Sequence, residues 1–327
     1  MILVTGSSGH IGNVLVRELT RNGEKVLIMT RTGKKPDWIN HLNVEVCKGD
    51  LRDQSAIEAA VKRSNIVFHL GGMISISSFD SKELREVNVL GTKYIAEACL
   101  KYNVERLVYT SSVHALQEAE HGQPIKEQKS FDSSKLYGAY ARTKAEATQV
   151  VLETVSKGLN AVICFPSGVM GPHDYRGSEA GRLIKDYATN KLPVYIDGAY
   201  NFVDVRDVVQ GLLLAKEKGR SGEGYIIAGE KMTLNQFFDT LSGLEPSMRK
   251  PAFKMPLSIA IGSAWILESL CKLFNAKPLF TVYAIKVLQS NCNISSQKAI
   301  DELGYSYRSM EECIKDSLAW MKQNNKI

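Results

Sequence analysis

A glycine-rich turn lies at the start of the chain, directly after the apolar residues 2–4 and before a helical pattern. It reads Thr-Gly-Ser-Ser-Gly-His-Ile-Gly. Gly6 permits a tight turn, Gly9 allows the backbone close to a pyrophosphate, and Gly12 lets helix and strand pack closely. A glycine triplet can also form a turn that binds nothing, but its place between a strand and a helix favours a dinucleotide site.

The first half of the chain alternates short apolar runs with helical patterns. This alternation is typical of a parallel sheet covered by helices on both faces. It predicts an α/β fold of the Rossmann type, with a doubly wound parallel sheet. The predicted strands are residues 2–4, 26–29, 44–46, 66–70, 107–110 and 161–164, and sheet-like sequence returns at 224–228.

The helical patterns fall between these strands. In the first, apolar residues recur at three- and four-residue steps from 11 to 19, and Gly23 is placed to end the helix in a left-handed conformation. A long helix is predicted over residues 135–155. It carries Tyr140 and Lys144 one turn apart.

The rhythm of strands and helices breaks after Pro166, where a loop rich in glycine and proline begins; a helix is then predicted over 180–190. We expect a smaller, discontinuous C-terminal lobe that closes over a substrate, because ligands in such folds lie at the carboxyl ends of the strands. The predicted division is a dinucleotide-binding domain of residues 1–171, to which 201–230 return, and a substrate lobe of 172–200 and 231–327.

Composition argues against several other classes of protein. The formal charge of +6 arises from 41 basic and 35 acidic residues that are scattered along the chain, so no nucleic-acid partner is expected. The six cysteines are far apart and form no metal-ligand pattern, so no metal site is expected. Free thiols and the absence of a visible export signal favour a cytoplasmic protein.

The most apolar stretch covers residues 256–267 and is followed by Glu268 and Lys272. It is too short to span a bilayer. A peripheral membrane contact by residues 256–274 is the less favoured interpretation, because an apolar helix in a substrate lobe usually packs on the core or covers a pocket.

The end of the second strand bears on the choice of cofactor. An acidic residue there would accept a ribose hydroxyl, whereas this chain has Arg31, followed by Lys34 and Lys35. A guanidinium favours a 2′-phosphate through charge-assisted hydrogen bonds, so NADP(H) is preferred over NAD(H), unless these cations are solvated loop residues. Asp50, just beyond the third strand, could reach the adenine ring or cap the helix near residues 55–62.

The candidate catalytic residues are Tyr140, Lys144 and a serine at the end of the fifth strand. A tyrosine that exchanges a proton at neutral pH needs a pKa near 7 rather than 10, a change of roughly 4 kcal/mol that one ammonium about 4 Å away can supply. We predict that Lys144, with help from an oxidised nicotinamide ring, lowers the pKa of Tyr140 and that Ser112 polarises the substrate oxygen, with Ser111 as the alternative.

The whole set of motifs resembles an extended short-chain dehydrogenase/reductase of the NAD-dependent epimerase/dehydratase superfamily. Within it, the sequence is most similar to the dihydroflavonol-reductase-like and 3β-hydroxysteroid-dehydrogenase-like branch. The matching elements run past residue 207: Thr5-Gly6-xx-Gly9-xx-Gly12, Gly49-Asp50-Leu51, Asn88-xx-Gly91-Thr92, Tyr109-Thr110-Ser111-Ser112, Tyr140-xxx-Lys144, Pro166-Ser167, Gly171-Pro172 and the stretch from Phe202 to Val208.

This resemblance implies that Ser112, Tyr140 and Lys144 form a catalytic triad and that Asn88 supports a proton relay. A homodimer through the two long helices of the dinucleotide domain is a further expectation at family level. The residues expected to bind the cofactor are Gly6, Ser8, Gly9, His10, Ile11, Gly12, Arg31, Lys35, Asp50, Leu51, Leu70, Gly71, Gly72, Asn88, Thr110, Tyr140, Lys144, Pro166, Ser167 and Val169.

One element departs from the nucleotide-sugar members, many of which carry Arg-Pro-x-Asn where this chain has Phe165-Pro166-Ser167-Gly168. Two polar contacts to a sugar nucleotide are lost. The favoured hypothesis is an NADP(H)-dependent oxidoreductase that acts on a carbonyl or secondary alcohol of a small organic substrate. The alternatives are a nucleotide-sugar epimerase or dehydratase that retains NAD, and a non-catalytic NADP-binding redox sensor, which would need none of the three catalytic residues.

Two further groups of polar residues are expected to have structural roles. Histidines near the strand ends and in the loop after residue 172 should satisfy backbone groups rather than catalyse; they are His69, His114 and His173. Asp204, Arg206 and Asp207 should form a hydrogen-bonded cluster where the lobe meets the dinucleotide domain.

Overall fold

The computed structural model describes residues 1–75, 81–248, 250–251, 253–273 and 281–327. The strands are β1 (Ile2–Thr5), β2 (Val26–Thr30), β3 (Glu45–Lys48), β4 (Ile66–His69), β5 (Arg106–Thr110), β6 (Ala161–Pro166), β7 (Gly168–Met170), β8 (Val194–Tyr195), β9 (Ala199–Asp204), β10 (Gly224–Ile227), β11 (Glu230–Thr233) and β12 (Phe253–Lys254). The helices are α1 (His10–Arg21), α2 (Gln54–Val61), α3 (Lys82–Arg85), α4 (Gly91–Lys101), α5 (Ala139–Val155), α6 (Glu179–Ala188), α7 (Val205–Lys218), α8 (Leu234–Leu244), α9 (Leu257–Leu273), α10 (Val282–Gln289), α11 (Gln297–Leu303) and α12 (Met310–Gln323).

Seven parallel strands form the central sheet, in the order β10-β6-β5-β4-β1-β2-β3. The predicted Rossmann-type α/β fold is therefore confirmed, and the predicted strand bounds agree with the observed ones to within two residues. The strand order reverses between β1 and β4, and Thr5 of β1 lies opposite His69 of β4. A ligand in such a sheet binds at this switch point, outside the carboxyl ends of the strands.

Apolar side chains cover both faces of the sheet. Leu3, Leu27 and Leu107 belong to the core on one side, whereas Val4 and Ile28 belong to the core on the other. Each of these side chains is fully buried. Burial on both faces explains why the strands read as unbroken apolar runs rather than as alternating patterns.

Helix α1 follows its prediction: its apolar face is buried, and Gly23 just after its end has a φ of +78°. Helix α5, however, begins at Ala139 and not at residue 135. Asp132 caps a separate 3-10 turn at Ser133–Lys135, and the chain then extends to Gly138, whose φ of +94° is incompatible with a right-handed helix.

A three-stranded sheet in the order β11-β9-β7 lies outside the central sheet, and β7 and most of β9 come from segments that the predicted division gives to the dinucleotide domain. The predicted helix near residues 180–190 is observed as α6. The core on this side of the molecule includes Phe237 of α8 and Trp320 of α12. Helix α11 behaves differently, because Ala299 and Leu303 join the core of the central sheet and pack on α7 and β10. The domain boundaries given above remain a prediction.

A buried ionic cluster joins the lobe to the sheet, as predicted. The carboxylate of Asp204 accepts hydrogen bonds from the backbone N–H of Arg206 at 2.7 Å and from its guanidinium at 2.9 and 2.8 Å. Arg308, just before α12, forms ion pairs with Asp204 at 3.1 Å and Asp207 at 3.2 Å. Its backbone N–H also donates to Asp207 at 2.8 Å, so the junction ties β9, α7 and the last helix together.

Candidate active site

The glycine-rich turn forms a cradle with no room for side chains. Gly6 has a φ of +73°, and its carbonyl accepts the N–H of Gly9 at 2.9 Å. A Cβ on Gly12 would lie 2.1 Å from that same carbonyl oxygen, well inside any allowed contact. Helix α1 begins at this turn without a side-chain cap, so the amide groups of its first turn are available to an anion. These residues fit the pyrophosphate of a dinucleotide.

Several predicted cofactor residues surround this cradle. The backbone N–H of Gly71 donates to the hydroxyl of Thr5 at 3.0 Å, so the loop after β4 lies against the end of β1. Other predicted cofactor residues contact one another around the turn. The backbone of Leu70 and Gly71 lies against Gly6, and the side chain of Leu51 lies against Gly71. Gly72 lies next to the side chain of Asn88, and Ile11 packs on the core. The imidazole of His10 is hydrogen-bonded to the carbonyl of Pro172 at 2.9 Å, which places the lobe beside the turn.

Arg176 is a cation of this region that sequence reasoning missed. It belongs to the loop before α6, and its guanidinium donates to the hydroxyl of Ser8 at 3.4 Å. It is separated from Ser8 by 168 residues along the chain, so no local pattern could have paired them.

Arg31 is exposed at the end of β2, the strand beside β1. Asp50 is held by Arg52 through two side-chain contacts of 2.9 Å, and this hydrogen-bonded guanidinium, helped by Arg31, lowers the pKa of Asp50 to about 2. Asp50 does not cap α2, because Asp53 occupies the N-cap position and accepts from Ala56. The ammonium of Lys35 donates to the carbonyl of Leu42 at 2.8 Å.

The three predicted catalytic residues meet at the carboxyl end of β5. The ammonium of Lys144 is buried and donates to the carbonyl of Thr110 at 2.7 Å. The partly buried phenol of Tyr140 is hydrogen-bonded to Ser112. The hydroxyl of Ser111 instead shares a hydrogen bond of 2.7 Å with the hydroxyl of Thr148 in α5, whereas that of Ser112 faces the tyrosine.

The predicted lowering of the pKa of Tyr140 by Lys144 and an oxidised nicotinamide ring stays a prediction, and without a cofactor the pKa of Tyr140 is shifted the other way. Loss of water raises the pKa of Tyr140 to about 12, and its hydrogen bond with Ser112 opposes this only partly. Burial lowers the pKa of Lys144 to about 7. Both side chains lose hydration on burial, which disfavours the charged form of each, and the ammonium of Lys144 is engaged by the Thr110 carbonyl.

Asn88 lies in a π-helical stretch, Glu86–Leu90, between α3 and α4. Its side-chain amide donates to the carbonyl of Met73 at 3.0 Å and to the hydroxyl of Thr143 at 3.2 Å, and its oxygen accepts the N–H of Met73 at 2.7 Å. Thr143 in turn donates to the carbonyl of Tyr140 at 2.9 Å. These contacts fix the loop after β4 and the start of α5, and they leave the expected proton relay a prediction.

The residues after β6 close the opposite side of the site. Pro166 and Val169 are held by backbone pairing with Ile227 and Val203, and the N–H of Ser167 donates to the carbonyl of Ile227 at 3.2 Å. The buried hydroxyl of Ser167 has no hydrogen-bond partner within the described part of the chain. A polar ligand is the partner that such a group lacks.

Three aromatic residues complete the site: His114, for which a structural role was expected, and Tyr200 and Tyr283, which were not predicted. The imidazole of His114 is hydrogen-bonded to the phenol of Tyr200 at 2.8 Å, and its ring lies 6.0 Å from the rings of Tyr140 and Tyr283. The buried hydroxyl of Tyr283 has no partner among the described residues. They come from β9, α10 and the turn after β5, so only the tertiary fold brings them together.

His69 and His114 were expected to satisfy backbone groups. This expectation is wrong, because the imidazoles of both are hydrogen-bonded to side chains. His69 is fully buried between the hydroxyls of Thr5 at 2.7 Å and Thr92 at 3.0 Å, and burial lowers its pKa to about 3. Burial also lowers the pKa of His114 to about 4. Both imidazoles are therefore neutral at physiological pH.

Comparison with known proteins identifies the relatives of this chain. Residues 2–228 match the sequence model of the NAD dependent epimerase/dehydratase family. The chain is 33% identical over 327 residues to "Sterol demethylase protein B" of Methylococcus capsulatus, covering 99% of each protein. It is 30% identical over 328 residues to a Synechocystis sp. protein that carries the provisional name dihydroflavonol 4-reductase, covering 99% of this chain and 95% of that protein.

A solved structure agrees with these relatives. The crystal structure of gox2253 superposes with a TM-score of 0.86 at 32% sequence identity, over 100% of this chain and 99% of that one. The family match covers the glycine-rich turn, the Ser112-Tyr140-Lys144 group and the whole central sheet. The chain therefore belongs to the NAD dependent epimerase/dehydratase family and is an enzyme of the extended short-chain dehydrogenase/reductase type.

Proposed function

We propose that the protein is an NADP(H)-dependent oxidoreductase that interconverts a carbonyl group and a secondary alcohol of an organic substrate. The observation that carries this proposal is the meeting of Ser112, Tyr140 and Lys144 at the end of β5. The end of this strand is two strands from the glycine-rich turn, on the same edge of the sheet. One dinucleotide could reach from the turn to the three side chains.

The cradle of Gly6 to Gly12 would hold the pyrophosphate, Arg31 the 2′-phosphate, and Lys144 the ribose beside the nicotinamide. The bound cofactor supplies or accepts the hydride. The residues of the chain then orient the substrate oxygen and move one proton.

In this proposal the phenol of Tyr140 gives a proton to the oxygen of the carbonyl or takes one from the alcohol. Ser112, hydrogen-bonded to that phenol, orients the same oxygen. A pKa of about 12 keeps the phenol at neutral pH in the protonated form that reduction requires, but it also makes the phenol a weaker acid, so proton donation requires a lower pKa once the cofactor is bound. Proton abstraction from an alcohol requires the phenolate and becomes easier as the pH rises.

The substrate side of the site supports an apolar substrate. Tyr200, Tyr283 and neutral His114 surround the catalytic tyrosine, and none of them carries a charge at neutral pH. Gly168, which replaces a polar residue of the nucleotide-sugar members, lies against the ring of Tyr200. The relative named as a sterol demethylase protein is in keeping with a lipophilic ketone or alcohol.

Tyr140→Phe tests this mechanism. The variant lacks the proton donor, so kcat for NADPH oxidation with a panel of ketones and aldehydes should fall by about 100-fold or more. The Kd for NADPH should change little. Tyr137→Phe, at an exposed tyrosine three residues earlier, is the matched control. Wild-type turnover in Tyr140→Phe would refute the assigned role.

Arg31→Ala tests the cofactor preference. Loss of a charge-assisted contact to the 2′-phosphate should weaken NADPH binding by about 10- to 100-fold and leave NADH binding nearly unchanged. Fluorescence titration with both nucleotides measures the two affinities. Lys34→Ala, at an exposed neighbouring cation, is the control. Equal losses for NADPH and NADH would contradict the assignment.

The assay of NADPH oxidation with ketones and aldehydes also distinguishes a reductase from an epimerase. A reductase consumes NADPH in proportion to product, whereas an epimerase retains its cofactor and shows no net loss of the reduced-nicotinamide absorbance. If the cofactor stays bound through many turnovers, the reductase hypothesis is refuted and the epimerase hypothesis is supported.

A further inference from the structure

Helix α9 is oriented with its large apolar side chains outward. Ile259, Ile266 and Leu270 recur at spacings of seven and four residues and form one stripe, in which their exposed fractions are 57%, 55% and 49%. Trp265 beside this stripe is 67% exposed. Among the side chains of α9 that the structure describes, the fully buried ones are small or polar, namely Ala260, Ala264 and Glu268, and Ile261 and Leu267 are partly buried. This distribution is the reverse of an ordinary surface helix.

Contacts with α10 fix this orientation. Ala260 and Ala264 pack with Ile285 in a small core, where their size allows the two helices to approach closely. The carboxylate of Glu268 accepts the backbone N–H of Val282, at the start of α10, at 3.1 Å. Rotation of α9 to hide its apolar stripe would break this hydrogen bond and the alanine contacts, so the outward stripe is built into the fold.

The charge of the surrounding sequence indicates what covers the stripe. Residues 249–277 contain five basic residues and a single acidic one, Glu268, which is buried. Lys250 and Lys254 form ion pairs with Asp239 and Asp197. The remaining cations of the segment, Arg249, Lys272 and Lys277, leave it with net positive charge. An apolar stripe in a segment whose sequence is net basic matches an anionic bilayer surface, which offers acyl chains beneath negative headgroups.

The length of α9 determines how it could meet a bilayer. Its 17 residues correspond to about 25 Å of helix, short of the roughly 30 Å of hydrocarbon that a spanning helix must cross. Among the described residues, no helix meets the length and hydropathy required to cross a membrane. A helix of this kind lies along the interface with its apolar face inserted.

We propose that the outward face of α9 docks on the surface of an anionic membrane. Helix α10, which packs on α9, carries Tyr283 into contact with the aromatic group around Tyr140, so docking brings the substrate side of the site next to the bilayer. A lipophilic substrate then enters from the membrane, a consequence that rests on the proposed function. The docking itself does not depend on the reaction.

Sedimentation of the full chain with vesicles tests the docking without any measurement of turnover. Vesicles of phosphatidylcholine with one third phosphatidylglycerol should bind the protein, and vesicles of phosphatidylcholine alone should bind it more weakly. The double variant Ile259→Glu/Ile266→Glu should lose at least about tenfold in partitioning onto the anionic vesicles. Ile300→Glu, which introduces the same charge at an exposed isoleucine of α11, should bind like the wild type.

Two measurements keep the result interpretable. Thermal unfolding and NADPH affinity of the double variant should match the wild type, which shows that the fold is intact. Failure of the wild type to bind anionic vesicles, or unchanged binding by the double variant, would overturn the proposal. A dimer in sedimentation velocity that the double variant dissociates, with no vesicle binding, would overturn it in favour of a second copy of the chain.

Discussion

Burial has opposite effects on the pKa values of Tyr140 and Lys144, and both effects favour the neutral form. The phenol keeps its proton because its pKa rises to about 12, and the amine loses its proton near neutrality because its pKa falls to about 7. The pair therefore carries little charge at neutral pH in the absence of a ligand. Binding of an anionic dinucleotide would favour the ammonium form of Lys144, so cofactor and proton uptake should be linked.

Lys144→Met should change the pH dependence of stability. Above pH 7 the folded protein has lost the proton of Lys144, whereas the unfolded chain keeps it until about pH 10.5. The unfolded state thus binds more protons in this window, and the free energy of unfolding rises with pH by up to about 1.4 kcal/mol per unit. Lys144→Met removes this contribution, so its curve should be flatter between pH 7 and 9. Urea unfolding at several pH values measures it.

Lys101→Met is the control for this experiment. Its hydrogen bond with Glu58 raises the pKa of Lys101, so neither the folded nor the unfolded state releases that proton between pH 7 and 9. The control should retain the wild-type slope. An identical slope in Lys144→Met would mean that Lys144 stays protonated in the folded protein.

Local sequence identified the residues that neighbouring strands and one helix bring together. Ser112, Tyr140 and Lys144 could be placed because β5 and α5 each carry a recognisable pattern, and Ser112 rather than Ser111 faces the tyrosine. Tyr200 and Tyr283 could not be placed, because they reach the site from β9 and α10 through packing of the lobe. Nothing in the sequence around them distinguishes them from core aromatics.

At the level of elements, the glycine-rich turn and α1 depend on one close approach. In Gly12→Ala, the added methyl group would meet the carbonyl of Gly6, so the helix must move away from the strand. We expect a loss of about 3 kcal/mol or more in the free energy of unfolding and a large loss of NADPH affinity. Urea unfolding measures the loss of stability, and nucleotide titration measures the loss of NADPH affinity.

Gly243→Ala provides the matched control. This glycine lies in the last turn of α8, and a Cβ there would have no heavy atom within 4 Å. The same substitution should therefore leave stability unchanged or raise it by about 0.5 kcal/mol. Equal losses at both glycines would show that the close approach at Gly12 does not determine stability.

The bounds of a strand or helix were predictable where burial alone determines the pattern of apolar residues. They were less predictable where the backbone conformation of a single residue determines where the element begins. The parallel strands read clearly because both of their faces are apolar. The start of α5 was placed four residues early, because helix-compatible residues precede Gly138 and only its left-handed conformation stops the helix. The π-helical stretch around Asn88, whose side chain is hydrogen-bonded to Met73, has no signature in residue spacing.

At the level of the whole molecule, two chemically identical motifs differ only in their surroundings. Asp50 and Asp204 each bind the guanidinium and the backbone N–H of the arginine two residues later. The side chain of Asp204 is fully buried at the lobe junction, whereas that of Asp50 is 28% exposed. Arg308 also depends on Asp204 for an ion pair.

Asp204→Asn should therefore cost about 2 to 3 kcal/mol, because it removes the buried carboxylate that Arg206 and Arg308 share, although these partly exposed guanidiniums keep ion pairs with Asp316 and Asp207. Asp50→Asn removes the same hydrogen bonds at the surface and should cost less than about 1 kcal/mol. Urea unfolding without cofactor compares the two directly. Similar costs for both variants would show that the junction cluster does not hold the lobe in place.

The packing of α11 bears on how the enzyme can move. The chain passes from the central sheet to the lobe and returns to the sheet with α7 and β10. It returns to the sheet a second time with α11, where the core beside Val208 and Leu212 includes Ala299, Leu303 and Tyr305. Two bodies joined by one linker can swing apart as a hinge, but bodies joined at several crossings can open only if every crossing bends together. Access to the site should therefore depend on small displacements of single segments such as α10, and the lobe as a whole should stay closed on the sheet throughout the catalytic cycle.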